Sequence, residues 1–156
     1  MEEKFTLKKL TVESIGVNCQ YGIKKINDDG SIETAAYQKK DSRVPHLDLS
    51  RLFYKDLAEI VASLFRWDKI EGFNLNSIRP TTIQFSGKED KIGIAISGIF
   101  VNGLAKMKFK TSKIKYKVSD SEFAVKLTVL VERIEDEIQK YLFDNKTATV
   151  EEFGND

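Results

Sequence analysis

Only one cysteine and one histidine occur in the 156 residues, and there are only two prolines. Cys19 alone cannot build a disulfide framework, and Cys19 with His46 cannot assemble a Cys/His zinc cluster. The expectation is a chain at home in a reducing, intracellular setting. No run of about 18 apolar residues is present, so no helix is expected to span a bilayer. The opening MEEKFTLKKL lacks the apolar centre of a signal peptide, and the expected location is the cytoplasm. Net charge is scarce too. The 25 basic residues stand against 24 acidic ones and leave +1, so any charge effect on a partner must be local. Phosphate loop, dinucleotide fingerprint and nucleophile elbow are all missing. These absences point to a non-enzymatic protein without a cofactor.

What is present is concentrated between Lys91 and Val118, two β-type runs joined at Asn102-Gly103. Both turn residues tolerate positive φ, so a two-residue hairpin turn is expected there, and such a turn fixes the register. Phe100 would then meet Ala105, Gly98 meet Met107, Ile96 meet Phe109 and Ile94 meet Thr111, all on one apolar face. Met107 and Phe109 are thereby expected in the core. The other face would pair Ile99 with Lys106, Ser97 with Lys108 and Ala95 with Lys110. After Thr111 the alternation resumes with a one-residue slip, placing Lys113, Lys115 and Lys117 opposite Ile114, Tyr116 and Val118. Seven lysines and no acid lie between Lys91 and Ser119.

The remaining chain reads as an α+β domain. Lys4 to Val12 alternates, with a slip between Leu7 and Leu10 that suggests a bulge. Ile15 to Lys24 holds strict period two, and the Asn27 to Gly30 turn leads into a weaker strand from Ser31 to Gln38. Lys39 to Val44 reads as polar linker. Pro45 opens a helix whose Leu49, Leu52, Phe53, Leu57, Ile60, Val61, Leu64 and Phe65 form one stripe, ending near Trp67 and Gly72. A strand follows at Thr81 to Phe85, then the lysine-rich hairpin. A closing helix runs from about Asp120 to Phe143, with Ser119 and Glu122 at capping-box spacing. The expected order is β-β-β-α-β-β-β-α: about six antiparallel strands in two three-stranded units, each covered by an amphipathic helix. One domain, 1–145, is expected, followed by a flexible acidic tail, 146–156.

Few residues suggest chemistry. His46 stands at a helix start beside Pro45 with no evident catalytic partner. Cys19 falls in the buried phase of its strand, where a thiol is inert. Asp28 with Asp29, and Glu89 with Asp90, sit in turns; a metal site built from them is the least favoured alternative. That leaves the lysine face, with Ser97, Lys106, Lys108, Lys110, Lys113 and Lys115 as the candidate anion-binding residues. Lysines two apart on a strand are about 7 Å apart, comparable with successive phosphates, and the same lysines also serve to keep an open sheet soluble. Phe109 and Tyr116 point to the core side, so no stacking platform is evident on that face.

The Pro45-His46-x-Asp48-Leu49 helix start, the stretch IQFSGKEDKIGIAISG from Ile83 to Gly98, and the closing Tyr141-Leu142-Phe143 before Lys146 resemble small early-region proteins of tailed bacteriophages and prophages. The resemblance covers most of the chain from Pro45 onward and brings no catalytic residue. It implies a small accessory protein in an infected bacterium, near replication and recombination or as a counter-defence factor, and hence in the host cytoplasm. The lysine run from Lys106 to Lys117 departs from that group. The leading expectation is a binding protein whose lysine face contacts nucleic acid or sequesters a nucleotide immune signal. The alternative is a module that inhibits or recruits a host protein. Ile99, Val101 and Leu104 at the hairpin tip make a homo-oligomer plausible.

Overall fold

A computed structural model describes residues 2–88, 91–117 and 121–148. Three consecutive antiparallel strands come first: β1 (Glu2–Glu13), β2 (Gly16–Ile26) and β3 (Ile32–Asp41). The expected slip in β1 is a bulge between Leu7 and Lys9, which lets Leu7 and Leu10 both face inward. Ile15, assigned to β2 by its alternation, instead sits in the β1–β2 turn and is exposed. The segment expected as polar linker is in part strand, since β3 pairs with β2 as far as Asp41 opposite Val17. Its exposed, lysine-rich composition hid the ladder.

The first helical body runs as α1 (Leu47–Arg51), a π-helical segment (Leu52–Leu57) and α2 (Ala58–Phe65). Pro45 is not in its first turn; it forms a β-bridge with Thr147, and the His46 imidazole caps the helix by accepting from the Asp48 backbone N–H at 3.1 Å. The wider π turn still buries Leu52, Phe53 and Leu57, and Arg66 in the left-handed region ends α2. Short 3-10 turns at Trp67–Lys69 and Leu75–Ser77 lead into β4 (Ile78–Ser86).

Next come β5 (Gly93–Asn102), β6 (Ala105–Lys110), the two-residue β7 (Ile114–Lys115) and α3 (Glu122–Phe143). The observed order is thus β-β-β-α-β-β-β-β-α, with one more strand than expected. The last strand is split because Thr111 interrupts it. The Thr111 N–H donates to the Ile96 carbonyl (2.8 Å) and its Oγ1 accepts from the Ile96 N–H (2.9 Å), holding the edge together across the slip. The capping Ser119 of the sequence reading lies outside the described residues; the cap of α3 is Ser121, whose Oγ accepts from the Ala124 N–H.

The two meanders are not separate units. β1 pairs antiparallel with β4 through Lys9–Gln84, Leu10–Ile83 and Thr11–Thr82, giving one sheet ordered β3-β2-β1-β4-β5-β6, with β7 continuing the outer edge of β5. Both helical bodies lie on one face. There Leu7, Leu10, Val12, Cys19, Ile83, Ile94 and Ile96 meet Phe53, Leu57, Leu127, Ile134 and Ile138 in one buried cluster. At the far corner, the Arg43 guanidinium binds both oxygens of Asp41 (2.9 and 2.6 Å), the Tyr141 carbonyl (3.1 Å) and Asn145 (2.7 Å), tying β3 to the end of α3. Of the acidic tail, Lys146 pairs with Asp48 and Glu137, and the Ala148 N–H donates to the Val44 carbonyl; 149–156 lie outside the described residues.

Candidate functional site

With both helices on one face, no described element covers the other face of the sheet, and register decides what stands on it. The β5–β6 pairs are Asn102–Ala105, Val101–Lys106, Phe100–Met107, Ile99–Lys108, Gly98–Phe109 and Ser97–Lys110. The tight turn is therefore Gly103-Leu104 and not Asn102-Gly103. Gly103 alone takes positive φ, at 60°, as a type II′ turn requires of its first central residue. Moving the turn by one residue moves every partner by two, so the expected faces survive while the expected pairs do not. The packing reason is Phe109: its ring lies against Gly98, where an added Cβ would come within 2.9 Å of it.

One consequence corrects the core expected from the sequence. Met107 shares the face of Phe109 but lies beyond the helices and is 53% exposed, whereas Phe109 is 8% exposed against Phe65 and Trp67. Leu104 at the tip is fully exposed.

Joining the meanders enlarges the basic surface. One row of paired residues crosses all six strands: Lys40, Asn18, Thr11, Thr82, Ser97 and Lys110. Its five strand spacings span about 24 Å at about 4.8 Å each. Thr11 and Thr82 hydrogen-bond at 3.0 Å in its middle, and a lysine stands at each end. Next to it lies a row of Arg79, Ile99 and Lys108, then Val101 with Lys106. On the other side stand Lys9, paired with Gln20 and Gln84, and further out Lys24 and Lys115. The stem of Lys113 crosses Gly93 with its ammonium beside Gly87.

The structure thus keeps Ser97, Lys106, Lys108, Lys110, Lys113 and Lys115 on or beside one face and adds Lys9, Lys24, Lys40 and Arg79, which the sequence reading had not grouped with them. The outward phase of Lys9 and Lys24 was legible in their strands; Lys40 fell in the segment read as linker, Arg79 before the expected start of the fourth strand, and the β1–β4 joint that unites them left no local sign. By register, Glu2 and Glu13, at the two ends of β1, are the described strand acids in the phase of this face. Among the described residues none of these cations is ion-paired, while the observed pairs engage Glu3, Asp41, Asp48, Glu59, Asp136 and Glu137 at the sheet ends or on the helical side. Lys4 also faces outward by register, but it draws on Glu135 of α3, as does Lys117. Neighbouring cations about 7 Å apart along β6 lie within one Debye length at physiological salt, about 8 Å, so their fields add. An anion on this face meets a summed potential and displaces counterions.

The other candidates are accounted for locally. Cys19 is fully buried and its thiol is pushed up to about 12 by burial, so it is no nucleophile. His46 caps α1 and lies 3.4 Å from Asp48. Asp29 accepts from the Ser31 N–H (2.9 Å) and hydroxyl (2.6 Å) and so closes the β2–β3 turn. Glu89 and Asp90 lie outside the described residues. No three His, Cys, Asp or Glu side chains are grouped to hold a metal among the described residues. Nor is any described helix long and apolar enough to cross a membrane. Comparison with protein-family models, with curated proteins and with solved structures finds no match to this chain.

Proposed function

We propose that this protein is a non-enzymatic binding protein whose uncovered sheet face receives a nucleic-acid strand. The observation that carries the reading is the array of Lys9, Lys24, Lys40, Arg79, Lys106, Lys108, Lys110 and Lys115, not ion-paired among the described residues and set on one face where the described strand acids are Glu2 and Glu13 at the two ends of β1. An open array some 24 Å wide suits an extended polyanion better than a small nucleotide, which calls for a concave site that wraps it. Asn18, Gln20, Thr11, Thr82, Gln84 and Ser97 between the cations offer neutral hydrogen bonds to phosphate and sugar. In the setting implied by the phage resemblance, such a protein accompanies replication and recombination or counters a host defence.

The test is charge reversal. Lys106→Glu, Lys108→Glu and Lys110→Glu together should weaken binding of a fluorescein-labelled single strand by 100-fold or more in anisotropy. Lys126→Glu on the helical side should leave it unchanged. Equal effects of both changes would refute the assignment to the sheet face.

A second reading, a protein-interaction or self-association module, draws on the fully exposed Leu104 and the half-exposed Met107 at one hairpin tip. Leu104→Ser with Met107→Ser would abolish such a contact and spare nucleic-acid binding.

A further inference from the structure

Among the described residues the strands place no aromatic on the uncovered face: Phe5, Tyr21, Tyr37, Phe85, Phe100 and Phe109 all stand in the inward phase of their strands. A polyanion held there by lysines alone would be gripped by its backbone and left unread. The sheet is not continuous, however. Beyond Thr11 and Thr82 the pairing of β1 with β4 stops, and a bulge at Thr81 breaks the β4 register between Pro80 and Thr82. The strands part there and leave a cleft of about 570 Å3, and three of its lining residues, Glu13, Arg79 and Ile99, stand in the phase of the uncovered face. Val12 and Ile78 add apolar wall.

The aromatic ring missing from the face is supplied here from the other layer. Tyr54 of the π-helical segment lines the cleft. A π turn shifts the side chains that follow it out of simple helical phase, and such turns recur at functional sites. Its hydroxyl is kept protonated, raised by burial first and by Glu13 next, with Arg79 opposing. The cleft therefore presents a ring, a neutral O–H donor, a carboxylate acceptor and a guanidinium, the last in one row with Lys108.

We infer that this cleft takes one unstacked nucleobase bearing an exocyclic amine from a single strand whose flanking phosphates lie on Arg79 and Lys108. The inference rests on the proposed nucleic-acid face and names its ligand more closely. Tyr54 offers the stacking surface, Ile99 and Ile78 the apolar walls, and Glu13 an acceptor for the amine of cytosine or adenine. Paired bases in a duplex are stacked away from such a slot.

The test compares an oligodeoxycytidylate with its fully abasic counterpart of equal length, by anisotropy, on wild type, Tyr54→Leu and Tyr54→Phe. Wild type should prefer the cytosine strand by about 10-fold, the order of one base–aromatic stack. Tyr54→Leu should bring that preference close to one while binding of the abasic strand and its salt dependence stay as they were. Tyr54→Phe should keep most of the preference. Equal affinity of wild type for both strands, or a preference untouched in Tyr54→Leu, would overturn the cleft as a base receptor and leave the lysine face standing. A duplex of equal length binding as tightly as the single strand would overturn it as well. No salt-sensitive binding of either strand would overturn both readings together.

Discussion

Gly98 is where the fold is least forgiving, and replacing it by alanine tests the register on which the basic face depends. It lies between Pro80 of β4 and Phe109 of β6. A Cβ there would collide with the Arg79 carbonyl oxygen and lie 2.8 Å from the Pro80 Cα and 2.9 Å from the Phe109 ring. Two of these three atoms are backbone, so the methyl is accommodated only if β4 and β5 separate at the bulge. Overpacking of this kind costs about 1–3 kcal/mol, and a backbone collision belongs at the top of that range. Gly22, also mid-strand, is the control, because its added Cβ would meet only the Ala35 carbonyl oxygen at an ordinary 3.6 Å. Gly22→Ala should be neutral or stabilise by up to about 1 kcal/mol. In urea, with a slope of about 2 kcal/mol/M, Gly98→Ala should lower the midpoint by about 1.5 M at unchanged slope. Coincident midpoints for the two variants would show that Gly98 is not pinned between β4 and β6.

The core boundary on β6 gives a paired test. Phe109→Ala should cost about 3–5 kcal/mol, whereas Met107→Lys, exposed on the same face, should stay within about 0.5 kcal/mol in thermal unfolding. Similar losses for both would place Met107 in the core after all. The Arg43 node predicts an acid limb. Hydrogen bonds from the Arg43 guanidinium hold the Asp41 carboxyl well below its ordinary range, so the folded chain binds fewer protons than the unfolded one. That stabilisation is complete above the ordinary aspartate value of about 3.9 and fades as pH falls toward the depressed folded value. Asp41→Asn should cost about 2 kcal/mol at pH 7, and its gap from wild type should narrow toward pH 2; a gap independent of pH would refute the linkage.

Much of this was legible because the described helices cover only one face of the sheet. The period-two alternation of β2, β5 and β6 stayed clean, and the slips in β1 and after Thr111 were visible as broken phase. The facing of Lys106, Lys108 and Lys110 held although the turn moved by one residue, since parity is kept when partners shift by two. The choice between Asn102-Gly103 and Gly103-Leu104 was set by a tertiary contact, the Phe109 ring over Gly98, which local turn chemistry does not encode. Met107 has the phase of a core residue; how far the helices extend over β6 decides its exposure. The β1–β4 joint rests on three residue pairs and joins strands some 70 residues apart, so no short-range pattern announces it. With it went Lys9, Lys24, Lys40 and Arg79 as members of the face, and the cleft beside Tyr54.

The most direct test of the basic face is the salt dependence of single-strand binding by the unmodified chain. If the face engages about five phosphates, the logarithm of the association constant should fall linearly with the logarithm of salt concentration, with a slope of about −3 to −4. A slope near zero, or no binding at low salt, would contradict it.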